Sequence, residues 1–129
     1  MSLRSPLGRV LGLGSAKGGS GHWYAQRISA VALVILGLWF IASLAMLGPG
    51  AAHESVTHWL GSPLAATMAV LLVLVTGYHA QLGLQVVIED YLGDKGLRTV
   101  VLTAVNFLLV TASILGVLAV LRLALGVHA

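Results

Sequence analysis

The sequence predicts an all-α membrane protein with three transmembrane helices, for two reasons. Of the 129 residues, 58% are hydrophobic and only 9% are charged, with a mean hydropathy of +0.98, far more apolar than soluble domains. Residues 28–47, 64–88 and 100–121 also form runs without Asp, Glu, Lys or Arg, each able to cross a hydrocarbon core of ~30 Å. Helices are expected because lipid-exposed backbone must satisfy its own hydrogen bonds, and three segments cannot close a barrel.

An N-terminal lead, residues 1–27, precedes the first helix. The whole chain, residues 1–129, is expected to form a single domain. The lead is rich in Gly and Ser and is predicted to be flexible. His22, Trp23 and Tyr24 stand just before the first apolar run, where aromatic rings favour the membrane interface. Pro49 and Gly50 are predicted to end the helix, because proline cannot continue the hydrogen-bond ladder.

The second helix follows a short loop that has room for one interfacial helical turn, with Trp59 predicted to face the membrane. Ser62 and Pro63 form a favourable helix start, as an N-cap followed by proline at the first helical position. Gly93 and Gly96 punctuate the end of the helix.

The third helix carries a stripe of polar residues within an arc of ~80°, taking ~100° per residue. Its members are Thr99, Thr103, Asn106 and Ser113. Such a stripe favours hydrogen bonds between helices, which is a packing role, over a proton path.

Positive charges predict the orientation, since cytoplasmic flanks retain Lys and Arg. Six of these residues lie on one side of the spans: Arg4, Arg9, Lys17, Arg27, Lys95 and Arg98. The opposite side has only Arg122. We therefore expect a cytoplasmic N-terminus and a C-terminus on the outer side.

The composition also excludes several classes of function. The net charge of +3 is distributed by topology and forms no basic face, so nucleic-acid binding is not expected. The chain has no cysteine, which excludes thiol chemistry, disulfides and Cys-ligated iron–sulfur clusters within it.

The second helix carries a histidine in its apolar part. At ~100° per residue, His79, Gly83, Val86 and Asp90 fall within an arc of ~60°. A histidine beside a glycine, which leaves room for a flat group, suits axial ligation of a haem. A second histidine ligand would come from another subunit, because the other histidines lie outside the spans. The alternative is a histidine that hydrogen-bonds a neighbouring helix, and position alone does not decide between the two.

Asp90 and Tyr91 lie at the cytoplasmic end of the same helix, ~16 Å along the axis from His79. The tyrosine hydroxyl can donate to a quinone carbonyl, and the acids Asp90 and Glu89 can orient a basic partner or relay protons. The alternative is an interfacial aromatic residue beside acids that pair with the basic residues of the following loop. Arg27 either snorkels to the interface or neutralises a haem propionate.

Two stretches carry a resemblance to a known family. HAQLGLQVVIEDY, residues 79–91, resembles the second-helix signature of the smaller, D-type hydrophobic membrane anchor of succinate dehydrogenase. GSGHWYAQRISAVAL, residues 19–33, resembles the entry to that family's first helix, with His22, Gln26 and Arg27 in place. The larger anchor typically has Arg-His after the glycine, where this chain has Leu84 and Gln85.

The resemblance implies a membrane-anchor subunit, in a bacterial-type inner membrane, of succinate:ubiquinone oxidoreductase, an enzyme of the tricarboxylic acid cycle. His79 would be one axial ligand of a haem b shared with the larger cytochrome b anchor, with Gly83 against the haem and with Arg27 and His22 near its propionates. Tyr91 and Asp90 would line the ubiquinone site. FAD and iron–sulfur clusters would be held only by the flavoprotein and iron–sulfur partner subunits. Alternatives are an anchor of a quinol:fumarate reductase, and a three-helix scaffold without a redox centre.

Overall fold

The computed structural model of the chain describes residues 19–126. These residues form four helices: α1 (Gly19–Leu47), α2 (His53–Leu60), α3 (Pro63–Tyr91) and α4 (Lys95–Ala124). Helices α1, α3 and α4 are each long and apolar enough to cross a membrane. The prediction of an all-α chain with three membrane-spanning helices is therefore confirmed.

The helices extend beyond the apolar runs that predicted them. Helix α1 ends at Leu47 as expected, but it begins at Gly19, so the lead does not stay irregular up to residue 27 as predicted. Residues 1–18 lie outside the described part of the chain. Helix α3 continues to Tyr91, and α4 begins at Lys95, five residues before its apolar run. The reason is that helical hydrogen bonding continues through interfacial residues until a cap or a breaker stops it.

Turn and cap residues fix the helix ends. Gly48 and Gly50 have φ of +84° and +78°, a conformation that glycine adopts without steric cost, and they end α1 on either side of Pro49. The Ser62 hydroxyl caps α3 by accepting from Ala65 N at 3.2 Å, as predicted. A cap that was not predicted starts α4, where Asp94 Oδ1 accepts from Leu97 N at 2.7 Å.

Helix α3 lies between the other two long helices and packs against both, while α2 contacts the ends of α3 and α4. Few side chains are enclosed among the described residues. The buried hydrophobic ones are Leu36, Leu60, Ala65, Ala69 and Leu82. Large apolar side chains such as Val31 (61%) and Phe107 (75%) are exposed in the single chain. Lipid or the helices of another subunit must therefore cover most of this surface.

Two packing details were not predicted from the sequence. Trp59 stacks against Trp39 of α1, with ring centroids 5.7 Å apart. Among residues 19–126, the hydroxyls of the α4 stripe bond within their own helix: Thr103 donates to the carbonyl of Thr99 at 2.9 Å, and Ser113 to that of Leu109 at 2.8 Å. Donation to a carbonyl four residues earlier is the local bond that Ser and Thr make readily inside helices.

Small residues allow α3 and α4 to approach closely. A Cβ on Gly77 would meet the hydroxyl of Ser113, and a Cβ on Gly116 would lie 2.9 Å from Val73 Cγ1. Small residues at such contacts are typical of helix pairs in membranes. The face of α3 toward α4 is therefore a packing surface.

Candidate functional site

His79 lies between α3 and α1, near the middle of α3. Its Nδ1 atom lies 2.9 Å from Ser29 Oγ, a well-formed hydrogen-bond distance. Its Nε2 atom lies 3.5 Å from Gln26 Nε2, at the outer limit of a hydrogen bond. The histidine thus makes one firm bond to the neighbouring helix, as one of the two interpretations of the sequence expected, and its second ring nitrogen is weakly held.

The face of α1 toward His79 is polar. His22, Gln26 and Ser29 are spaced four and three residues apart, so they share one side of the helix. The Ser29 side chain is 5% exposed and is the buried polar residue of the described chain. Its hydroxyl also donates to the Gln26 carbonyl at 3.1 Å.

Two polar atoms of this face have no hydrogen-bond partner among residues 19–126. They are His22 Nε2 and Gln26 Oε1, and both are buried. A buried polar group without a partner costs ~1–3 kcal/mol. These unsatisfied atoms lie on the face of α1 that His79 contacts. They are consistent with a site in which another polar group supplies the missing hydrogen bonds.

Gly83 lies at the same interface as His79, one turn further along α3. A Cβ built on Gly83 would lie 3.6 Å from Gln26 Nε2, an ordinary van der Waals contact. The missing side chain leaves space beside the Gln26 amide. Gly83 and His79 therefore both face Gln26 of α1, which agrees with the sequence placing them on one side of α3.

Arg27 is not part of this buried group. Because successive helical residues are ~100° apart, it points away from the side of α1 that carries Gln26. Its side chain is exposed, and its guanidinium lies 5.2 Å from the ring centroid of Trp23, a cation–π contact. The structure thus separates Arg27 from His22, which the sequence had grouped with it.

The stripe that begins at His79 opens to the surface toward the end of α3. Val86 is 43% exposed, and Asp90 is exposed. Ser29 of α1 lies level with His79 of α3, and the two helices run in opposite directions. The described part of α1 extends only ten residues beyond Ser29 toward the end of α3, so it scarcely reaches the level of Asp90.

Tyr91 and the two acids form an open end of α3. Tyr91 is 84% exposed and is the last residue of the helix. Glu89 accepts a hydrogen bond from Gln85 Nε2 at 2.9 Å, whereas Asp90 has no side-chain bond among residues 19–126. Asp90 is therefore the acid that is free for another group. In the described chain, neither acid pairs with Lys95 or Arg98, the alternative considered from the sequence.

Sequence reasoning missed Ser29 and the role of Gln26. The available signal was their spacing from His22, which places all three on one face of a helix that is otherwise apolar from residue 28. Among residues 19–126, no three His, Asp or Glu side chains gather into a metal site.

The family described as succinate dehydrogenase/fumarate reductase transmembrane subunit matches residues 1–124. The chain belongs to this family. The resemblance noted in the two sequence stretches is thereby confirmed.

Named relatives of this succinate dehydrogenase/fumarate reductase family cover most of the chain. A succinate dehydrogenase hydrophobic membrane anchor subunit of Rickettsia bellii is 36% identical over 80% of this chain and 82% of its own length. The proteins of that name in Rickettsia conorii and Paracoccus denitrificans are 34% and 32% identical, over 76% and 80% of this chain and 79% of their own lengths. No solved structure matches the chain significantly.

Proposed function

We propose that this chain is the hydrophobic membrane-anchor subunit of a succinate dehydrogenase, and that α3 carries a haem ligand and part of a quinone site. The observation that carries the proposal is the placement of His79, held by Ser29 at Nδ1 and with Nε2 only 3.5 Å from the Gln26 amide, on a face of α1 that also carries two buried polar atoms without partners in the described chain. The family also includes fumarate reductase subunits. The relatives compared above are named for succinate dehydrogenase, which favours succinate oxidation over fumarate reduction.

The buried residues fit a haem b at the α1–α3 interface. His79 would provide one nitrogen ligand, and the larger cytochrome b anchor would provide another. Gly83 would leave space for the flat macrocycle, while His22 Nε2, which has no partner in the described chain, would bond a propionate. Arg27, whose guanidinium lies 5.2 Å from the centroid of the Trp23 ring in the single chain, would be a second partner for the propionates. When bound, the haem supplies a site that accepts and returns one electron.

The exposed end of α3 is suited to a quinone at the membrane surface. The Tyr91 hydroxyl would donate a hydrogen bond to a carbonyl oxygen of ubiquinone and stabilise the negative charge that develops there on reduction. Asp90 would lie beside it as the acid that is not already bonded, while Glu89 is occupied by Gln85. The exposure of Tyr91 in the single chain is consistent with a pocket whose other walls come from the larger anchor and the iron–sulfur subunit.

The chain would complete the enzyme without oxidising succinate. It has no cysteine for an iron–sulfur cluster. As the family resemblance implies, we assign FAD and the clusters to the flavoprotein and iron–sulfur subunits, which this chain would tether to the membrane. The exposed apolar faces of α1 and α4 would be covered by the larger anchor and by lipid.

Deleting the gene for this chain tests the assigned function directly. Succinate oxidation with an artificial acceptor should move from the membrane to the soluble fraction, and succinate:quinone activity should be lost from membranes. A plasmid copy of the chain should restore both. Full succinate:quinone activity in membranes of the deletion strain would contradict the proposal.

The proposed orientation places Lys95 and Arg98 on the cytoplasmic side of a bacterial-type inner membrane, and α2 on the outer side. The absence of native cysteine allows single-cysteine labelling. A membrane-impermeant maleimide should label Ser55→Cys on α2 in intact spheroplasts, and Gly93→Cys only after permeabilisation. The reverse pattern would invert the topology.

A further inference from the structure

Ser29 makes the firm contact to His79, although it carries no charge and ligates nothing. We infer that Ser29 is a positioning residue: it holds His79 as the tautomer with its proton on Nδ1, so that the Nε2 lone pair is presented to haem iron. The inference rests on the proposed haem site, but the tautomer exists in the chain with or without a haem.

The hydroxyl of Ser29 has only one proton. Its Oγ lies 3.1 Å from the carbonyl oxygen of Gln26, to which it donates. The same Oγ lies 2.9 Å from His79 Nδ1. With the serine proton directed to the carbonyl, Oγ accepts the second bond, and we assign the proton of that bond to Nδ1.

In the amide orientation that the structure has, the contact at the second ring nitrogen agrees with this assignment. Gln26 Nε2 is an amide donor and lies 3.5 Å from His79 Nε2. Two donors would repel each other, whereas a lone pair on His79 Nε2 accepts from the amide. The long distance makes this contact weak, so the Gln26 amide can give way to a stronger partner of Nε2.

Because Ser29 is buried, water cannot readily take its place as the hydrogen-bond acceptor for His79. The residue is 5% exposed, so a serine-to-alanine change would leave the Nδ1 proton without a partner. Histidine ligands to metals commonly donate their other N–H to a fixed acceptor, which orients the ring and raises its basicity. Removing such an acceptor weakens metal binding roughly 10–100-fold.

The first test uses the full chain alone in detergent, without haem. Nitrogen-15 NMR of labelled histidine should show His79 with a protonated Nδ1 and an unprotonated Nε2. In Ser29→Ala, exchange between the two tautomers should appear, whereas Ser29→Thr should retain the single tautomer. A wild-type His79 protonated on Nε2 would overturn the inference without any variant.

The second test uses the assembled complex. Ser29→Ala should lower haem affinity roughly 10–100-fold and shift the potential of the remaining haem to more positive values, because a less basic imidazole stabilises ferric iron less. Ser29→Thr should restore both quantities. Ser43→Ala, a matched serine further along α1, should leave them unchanged.

Different results would contradict the assignment of His79 as a haem ligand and the assignment of Ser29 as a positioning residue. If His79→Ala retains the wild-type haem spectrum, the ligand assignment is wrong, whatever Ser29 does. If His79→Ala loses the spectrum while Ser29→Ala keeps the wild-type affinity, potential and tautomer, the haem site stands and the role of Ser29 is overturned.

Discussion

Helix α3 has two polar regions that differ in how much of each the chain itself encloses. His79 lies against α1, with a hydrogen bond of 2.9 Å to a buried serine. Tyr91, at the end of the same helix, is 84% exposed. The chain itself supplies most of the contacts around His79, whereas a pocket at Tyr91 needs contacts from outside the chain.

The difference follows from where each region meets water or lipid. A polar group inside the membrane must find a partner, since leaving it unpaired in hydrocarbon costs several kcal/mol. Tyr91 and Asp90 are exposed at the end of α3, where a membrane surface would allow water to bond them. The chain is thus expected to present its histidine in fixed geometry before assembly and to acquire its quinone pocket during assembly.

The largest effect that separates the regions is expected from Tyr91→Phe. Removing the hydroxyl donor should lower succinate:quinone activity about 10–100-fold, because charge developing on the quinone oxygen loses a hydrogen bond. Haem content and succinate oxidation with an artificial acceptor should stay at wild-type levels in purified complex.

Tyr24→Phe is the matched control for that change. Tyr24 is 59% exposed on α1, beside Trp23, and its hydroxyl is assigned no role in reduction. It should leave quinone reduction unchanged. Equal loss of the quinone and artificial-acceptor activities in Tyr91→Phe would indicate failed assembly and remove the distinction between the two regions.

A smaller effect is expected from Gly116→Ala, which probes the packing side of α3. The added methyl would lie 2.9 Å from Val73 Cγ1, and valine is stiff in a helix, so the chain should lose about 1–3 kcal/mol of stability. Denaturation of the full chain in detergent measures this change. Haem content per assembled complex should not fall.

Two further variants test whether crowding against Val73 causes the loss of stability in Gly116→Ala. A Cβ on Gly37 would meet nothing within 4 Å among residues 19–126, so Gly37→Ala should be neutral or stabilising, because alanine favours helix by ~1 kcal/mol. Val73→Ala should relieve the crowding in Gly116→Ala, so the double variant should show a favourable coupling. Equal changes for both glycine variants would place the α3–α4 contact in doubt.

The smallest effect is expected from Asp94→Ala, next to the exposed region. Loss of the bond that Asp94 accepts from Leu97 N should destabilise α4 by ~1 kcal/mol, whereas Asp94→Asn should retain most of the cap. The midpoint of detergent-phase unfolding provides the measurement. Unchanged stability in Asp94→Ala would show that α4 does not depend on this cap.

The sequence predicted what depends on local pattern. The three apolar runs located α1, α3 and α4, and Ser62–Pro63 located the start of α3, because span length and caps are local properties. Helical spacing also placed Gly83 on the His79 side of α3.

Contacts between distant segments were less predictable. The Ser29–His79 bond joins residues fifty positions apart, and nothing in the spacing of either helix alone fixes their relative rotation. The same applies to the stacking of Trp59 on Trp39, which the sequence did not predict. Arg27 and His22 are near neighbours in sequence, yet rotation about the α1 axis separates them.

The haem content of the complete complex with His79→Ala tests the proposed haem ligand most directly. The low-spin b-type spectrum should be lost or strongly perturbed, while His58→Ala, a matched change on α2, should leave it intact. Assembly should be confirmed in the same sample from artificial-acceptor activity in the membrane. A wild-type spectrum and haem stoichiometry in assembled His79→Ala complex would contradict the central claim that this histidine holds the haem.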